Sequence, residues 1–256
     1  MRENYYMDCS SLLNKIRGSI ALVLVVDSNG KVCGKGSGFI FLRDGILVTC
    51  NHVVNKKDAS FFIKFYDKEN LISAKVIIRD EEHDLAIIKF SDSERRPLSL
   101  IESKQIEEGM EVVFSGYPLT LMDLTTHRGI LSAITKDAAG ITTYMIDGTV
   151  NSGNSGCPLM SRDGDVIGVV NAKRREKNDI LEKVEGMKHG AIALHGVDLV
   201  EIHSALISNV QLGMGYAVPA AFIPEPKDQE DASISDSNQL NKPKSEKDEG
   251  INKQLL

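Results

Sequence analysis

Asn151-Ser152-Gly153-Asn154-Ser155-Gly156-Cys157-Pro158-Leu159 lies between two strand-like runs, Tyr144 to Ile146 before it and Val166 to Val170 after it. A serine among glycines on a tight connection between strands is what a nucleophile loop requires. Gly153 and Gly156 let the backbone turn sharply and aim N–H groups at one point, where a developing oxyanion can be held. Ser155 is therefore the candidate nucleophile. A serine hydroxyl attacks poorly at neutral pH, so this reading demands a histidine base elsewhere in the chain and a carboxylate to orient it.

Both are present. His52 ends the run Ile46-Leu47-Val48-Thr49-Cys50-Asn51-His52, where a strand delivers an imidazole at its tip. A lone histidine at a strand end is by default only a satisfied side chain. That reading weakens here because Gly36-Ser37-Gly38-Phe39-Ile40 precedes it at hairpin distance and the serine loop follows. Asp84, in Asp80-Glu81-Glu82-His83-Asp84-Leu85-Ala86-Ile87-Ile88, stands directly before an apolar strand that can draw it inward onto the imidazole. Asp80, Glu81 and Glu82 read as solvated turn residues, and His83 as exposed.

Around these segments the chain is written in short β-branched runs. Ile20 to Val26, Lys31 to Lys35, Gly38 to Leu42, Ile46 to Cys50, Ser60 to Phe65, Ala74 to Arg79 and Leu85 to Phe90 form a first group. Glu111 to Gly116, Thr126 to Thr135, Ile141 to Ile146, Cys157 to Met160, Val166 to Asn171 and Met214 to Val218 form a second, with a boundary near Ser91 to Leu100. Two such groups fit two barrels better than one oversized sheet. Cys9 to Ile16 reads as a short helix capped by Ser10 or Ser11, within a lead-in over residues 1–18. Between the last two strands, about 173–212, Ile180, Leu181 and Val184 and then Leu199, Ile202 and Leu206 recur at helical spacing. From residue 225 onward the chain has almost nothing to bury and is expected to be disordered.

The 256 residues carry a net charge of -6, which argues against a general nucleic-acid binder. Cys9, Cys33, Cys50 and Cys157 have no metal-ligand spacing, and no metal site is expected; His189, His195 and His203 add none. Ile20 to Val26 is too short to span a bilayer, has no cleavage site behind it and runs into the turn Asp27-Ser28-Asn29-Gly30. These features lead to the expectation of a cytoplasmic protein without membrane or nucleic-acid partners.

The order His, Asp, Ser, together with GSGFI, ILVTCNHVV, DEEHDLAIIKF, GYPL at 116–119, RGILSAI at 128–134, IDGTVNSGNSGCPLMSRDGDVIGVVNA at 146–172 and GMGYAVP at 213–219, resembles the trypsin-like serine peptidases of the HtrA/Deg type. The resemblance implies an all-β, chymotrypsin-like double β-barrel over residues 19–224, barrel one about 19–95 and barrel two about 96–224. It also implies a serine endopeptidase without cofactor. His52, Asp84 and Ser155 form the triad, the N–H groups of Gly153 and Ser155 the oxyanion hole, and a protein or peptide is the substrate. Thr149 takes the base of the specificity pocket, where trypsins have aspartate. Val169, Val170, Asn171 and Ala172 line the pocket and pair with an extended peptide, which favours small or medium apolar residues before the scissile bond. Cys157 replaces a glycine usual in the family and is read as structural; Cys50 is read as a small buried hydrophobe. No Ile-Val-Gly-Gly stretch is present, and no PDZ domain is expected after Pro219. The helical insertion is a candidate lid or docking element for an activating protein. The rival readings are a protease-fold binding or sensing module without turnover, which an intact triad disfavours, and an esterase using the same triad.

Overall fold

The run IALVLVV becomes β1 (Ile20–Val26), buried along its whole length because it closes the first barrel and packs on the second. The computed structural model describes residues 9–91, 94–101, 105–137, 139–172, 187, 190, 193–195, 197–202 and 213–226. A helix α1 (Cys9–Ile16) precedes β1. Then follow β2 (Val32–Ile40), β3 (Ile46–Cys50), the one-turn helix α2 (Asn51–Val54), β4 (Ser60–Phe65), β5 (Ile72–Asp80) and β6 (Leu85–Phe90). The second half supplies β7 (Glu111–Gly116), β8 (Thr125–Lys136), β9 (Thr142–Asp147), β10 (Pro158–Met160) and β11 (Val166–Asn171). A small hairpin, β12 (Ala193–Leu194) and β13 (Val197–Asp198), comes before β14 (Met214–Pro219).

Two closed six-stranded barrels result, in the orders β1-β2-β3-β6-β5-β4 and β10-β11-β14-β9-β8-β7. Closure pairs every barrel strand on both sides and leaves neither barrel an open edge. The larger apolar cluster is shared between them: Ile20, Phe39, Leu47 and Phe65 of the first barrel meet Val113, Tyr117, Met160 and Val218 of the second. A smaller one, with Phe114, Leu131, Ile146, Leu159 and Ile167, fills the second barrel alone. The connecting segment is stitched to both barrels: Leu98 N donates to Ile40 O at 3.1 Å and Val166 N to Ser99 O at 2.7 Å. Helix α1 buries Leu12 and Ile16 in the shared cluster. Leu12 covers Gly164, whose φ is +93° and where an added Cβ would stand 2.7 Å from Leu12 Cδ1.

The structure differs from the sequence expectations at several points. Lys31 to Lys35 and Gly38 to Leu42 are one strand, β2, not two. Its glycines serve close approach instead of a turn: a Cβ on Gly36 would lie 2.7 Å from both γ-carbons of Val53, and one on Gly38 would collide with Leu47 Cδ2. Ser10 and Ser11 lie inside the first turn of α1, which begins at Cys9, so neither is its cap. In the expected helical insertion, the 180–184 stretch lies outside the described residues. Residues 199–202 are helical, and a strand pair, β12–β13, stands before them. Apart from residues 225 and 226, the stretch expected to be disordered also lies outside the described residues.

Candidate active site

Sheet register places the first two groups. β3 pairs with β6 so that Cys50 faces Leu85, which brings the residues just after β3 and just before β6 to the same barrel end. There the chain turns into α2, and Asn51 N donates to Asp84 O at 2.9 Å. Asp84 has φ +57°, a left-handed conformation costly for a residue with a side chain. Its carboxylate offsets that cost through several bonds. Oδ1 accepts from His52 N at 2.8 Å, while Oδ2 lies 2.6 Å from His52 Nδ1 and accepts from Asn171 Nδ2 at 2.9 Å. Arg79 supports α2 from below, donating to Asn51 Oδ1 at 3.0 Å and to Val54 O at 2.7 Å.

With Nδ1 facing the carboxylate, Nε2 of the His52 ring is left to meet the serine. Nε2 lies 2.9 Å from Ser155 Oγ. Burial alone raises the Asp84 pKa, but the hydrogen bond and positive charge of His52, the His52 backbone N–H and the Asn171 amide outweigh it and hold it below the ordinary carboxylate value. Asp84 is thus ionised where an imidazolium at His52 would need an anion.

Ser155 itself is held by a loop. Gly153 and Gly156 have φ +95° and +89°. A Cβ on Gly153 would strike Tyr117 O, and one on Gly156 would strike Ser37 O. Ser152 O accepts from Leu119 N at 2.6 Å. Since C=O and N–H point oppositely across a trans peptide, that bond turns the Gly153 N–H away from Leu119. Ala172 N donates to Ser155 Oγ at 3.2 Å, so the end of β11 also touches the nucleophile.

Not every expected residue lies where the sequence reading put it. Val169 and Val170 are wholly buried in the two apolar clusters, so their side chains do not line an open pocket. Asn171 is buried and spends its amide on Asp84. Thr149 is exposed. His83, expected to be exposed, is half-buried: it stacks on Phe222 with centroids 4.2 Å apart and bonds Asp80 Oδ2 at 2.7 Å, which removes Asp80 from the solvated set as well. Cys157 is wholly buried, and burial pushes its thiol pKa far up, leaving it protonated and unreactive. Cys50, also wholly buried, donates its thiol to Val170 O at 3.3 Å. Cys50, His52 and Asp84 offer ligand-type atoms within 4.8 Å of one another. A cation there would have to break both the thiol bond and the His52–Asp84 bond. Sequence reasoning missed Arg79, the Asn171–Asp84 contact and Ser37, a buried hydroxyl between two glycines that bonds the nucleophile loop.

Comparison with known proteins places this geometry. A DegP-like probable periplasmic serine endoprotease of Hahella chejuensis is 36% identical over 137 residues, covering 52% of this chain and 29% of that protein. Its counterpart in Rhizobium meliloti is 35% identical over 139 residues, covering 53% and 27%. The chain thus spans less than a third of the length of these relatives. The solved structure of the HtrA-type protease AlgW with a tripeptide superposes with a TM-score of 0.62 at 21% identity, over 84% of this chain and 60% of that one, and shares the fold. The expectation of a cytoplasmic protein is overturned by these relatives, which are described as periplasmic; the short apolar run on which it rested is an interior barrel strand, β1, and carries no information about compartment. The model of the trypsin-like peptidase domain matches residues 36–169, which include His52, Asp84 and Ser155, and the chain belongs to that family.

Proposed function

We propose that this chain is a serine endopeptidase that cleaves peptide bonds through an acyl-enzyme on Ser155. The observation that carries the reading is the unbroken hydrogen-bonded line from Asp84 Oδ2 through His52 to Ser155 Oγ, at 2.6 and 2.9 Å. Ser155 Oγ attacks the carbonyl carbon of the scissile bond while His52 Nε2 takes its proton. The imidazolium is stabilised by the ionised Asp84, and the tetrahedral oxyanion by the N–H groups of Gly153 and Ser155. Collapse breaks the C–N bond as Nε2 returns the proton to the leaving amine. Water, deprotonated by the same nitrogen, then releases the acyl group and restores the serine hydroxyl.

An uncharged Thr149 at the sequence position where trypsins carry an acid supports cleavage after small or medium apolar residues instead of Arg or Lys. Ala172, whose N–H reaches Ser155 Oγ, supports pairing of an extended peptide along the end of β11. A periplasmic location is the reading the relatives' descriptions support. An activating protein engaging the segment about 173–212 belongs to the same proposal. Its support is that this segment leaves the fold from Ala172, beside the nucleophile.

The test is labelling with a fluorophosphonate probe beside Ser155→Ala and His52→Ala. Labelling of the wild type that is lost in both variants is expected, followed by cleavage of apolar-preferring peptide libraries. A folded wild type that never labels and never cleaves overturns the peptidase reading in favour of a binding module.

A further inference from the structure

Ser37 makes four hydrogen bonds to three segments, two of them to the nucleophile loop, and is itself wholly buried. Its hydroxyl donates to Gly153 O at 2.7 Å and accepts from Tyr117 N at 2.9 Å. Its backbone N donates to Ser155 O at 2.8 Å, and its carbonyl accepts from Thr49 Oγ1 at 2.7 Å. Both loop carbonyls it holds belong to the residues whose N–H groups form the proposed oxyanion hole. The hydroxyl is closely packed: a Cβ on Gly116 would stand 2.8 Å from Ser37 Oγ.

From this we infer that Ser37 is a positioning residue for the oxyanion loop, an inference that rests on the peptidase reading of the same site. One hydroxyl serves as donor to the loop and acceptor from the 117–119 segment, so it ties β2 of the first barrel to both at once. The 117–119 segment in turn orients the next peptide through Leu119 N and Ser152 O, 2.6 Å apart. The loop needs such a clamp. Asn154, between the two proposed donors, is wholly buried, and neither Nδ2 nor Oδ1 has a hydrogen-bond partner among the described residues, so little besides the backbone holds it in place. Gly153 and Gly156 give the backbone the freedom to rotate peptides. Removing the Ser37 hydroxyl leaves Gly153 O and Tyr117 N without partners and releases that rotation.

The experiment uses the full chain with Ser37→Ala, and Ser37→Cys as the variant that keeps a polar γ-atom, slightly larger, that bonds weakly. Three quantities are measured: peptide kcat and KM, the inhibition constant of a peptide aldehyde that forms a tetrahedral adduct on Ser155, and amide hydrogen exchange at Tyr117 and Asn154. A clamp predicts that kcat falls on the order of a hundredfold in Ser37→Ala with KM nearly unchanged, as small misplacements of catalytic groups cost. The aldehyde weakens by a similar factor, Ser37→Cys is intermediate, and both amides exchange faster. Unchanged kcat and aldehyde affinity overturn the inference while the peptidase reading stands. A loss shared equally by KM and aldehyde binding also overturns it, since that is a general structural defect. Wild-type protein without turnover breaks the peptidase reading. The clamp is then judged by amide exchange alone, where faster exchange in both variants supports it and no change overturns it.

Discussion

The two halves of the candidate site are held by different means. His52 and Asp84 sit where β3 and β6 end, so their spacing follows from strand register, Cys50 opposite Leu85, within a barrel whose β1 and β3 are buried throughout. Ser155 sits on a loop whose shape depends on two left-handed glycines and on bonds reaching from the other barrel. Register is distributed over many strand pairs, whereas a loop is fixed by a few. Changes in the first half should therefore alter chemistry on an intact frame, and changes in the second should alter the frame from which the chemistry is done.

The largest effects break the comparison by removing reacting atoms from either half. Ser155→Ala and His52→Ala should each lower kcat by about a millionfold, and the double variant should be little worse, because the groups act as one unit. Additive losses in the double variant, read by single-turnover kinetics, would show that the two halves do not act together.

Asp84→Asn comes next, with a loss of about ten-thousandfold, because an amide at this place favours the wrong imidazole tautomer. It also has a signature in stability. The Asp84 pKa in the folded chain is below its ordinary value of 3.8, so the unfolded chain binds more protons just below that pH. The stabilisation from ionised Asp84 is fully present above about pH 4 and is lost as pH falls through the folded-state pKa. Urea melts should show wild type and Asp84→Asn converging as the pH drops below 4, and a constant gap would mean that the carboxylate is not held by His52.

Loop geometry is tested by Gly156→Ala. The added carbon meets Ser37 O and lies 2.5 Å from Thr49 Oγ1, on a backbone at φ +89°. A stability loss of about 1–3 kcal/mol is expected from the strained conformation, with kcat lowered on the order of a hundredfold by misplacement of Ser155. The matching change in the other half, Ala86→Gly in β6, should reduce stability with kcat nearly unchanged. Equal catalytic losses from the two would erase the distinction between register and loop.

The same distinction explains what could be read from the sequence. Six strands have both ends expected from their apolar runs, Ile20–Val26, Ile46–Cys50, Ser60–Phe65, Leu85–Phe90, Glu111–Gly116 and Val166–Asn171, and two have one, Met214–Pro219 its start and Pro158–Met160 its end. The triad was legible too, because each member borders such a run or sits on a glycine-flanked turn. What escaped depends on contacts between distant segments. Asn171 meets Asp84 across 87 positions, and Ser37 meets Gly153 across 116, with no local pattern to announce either. Val169 and Val170 were placed on a pocket wall by the family resemblance, which says nothing of how each side chain is buried. In this strand both faces are covered by apolar clusters.

The smallest expected effect concerns Cys157, two residues from Ser155 and a rival nucleophile if the loop were read by proximity alone. The thiol is wholly buried among Val112, Phe114, Leu131 and Ile167, and burial raises its pKa, so thiolate is absent at neutral pH. Iodoacetamide should leave Cys157 unmodified in folded protein and modify it in urea, as peptide mass mapping would show. Cys157→Ala should retain kcat within about twofold, because the sulfur touches no reacting atom, and lose about 1 kcal/mol of stability from the small cavity it leaves. Alkylation of Cys157 in the native state, accompanied by loss of activity, would mean that the loop opens far enough to expose its underside. The nucleophile loop would then be the mobile half of the site in fact, and the Ser37 bonds a latch that releases.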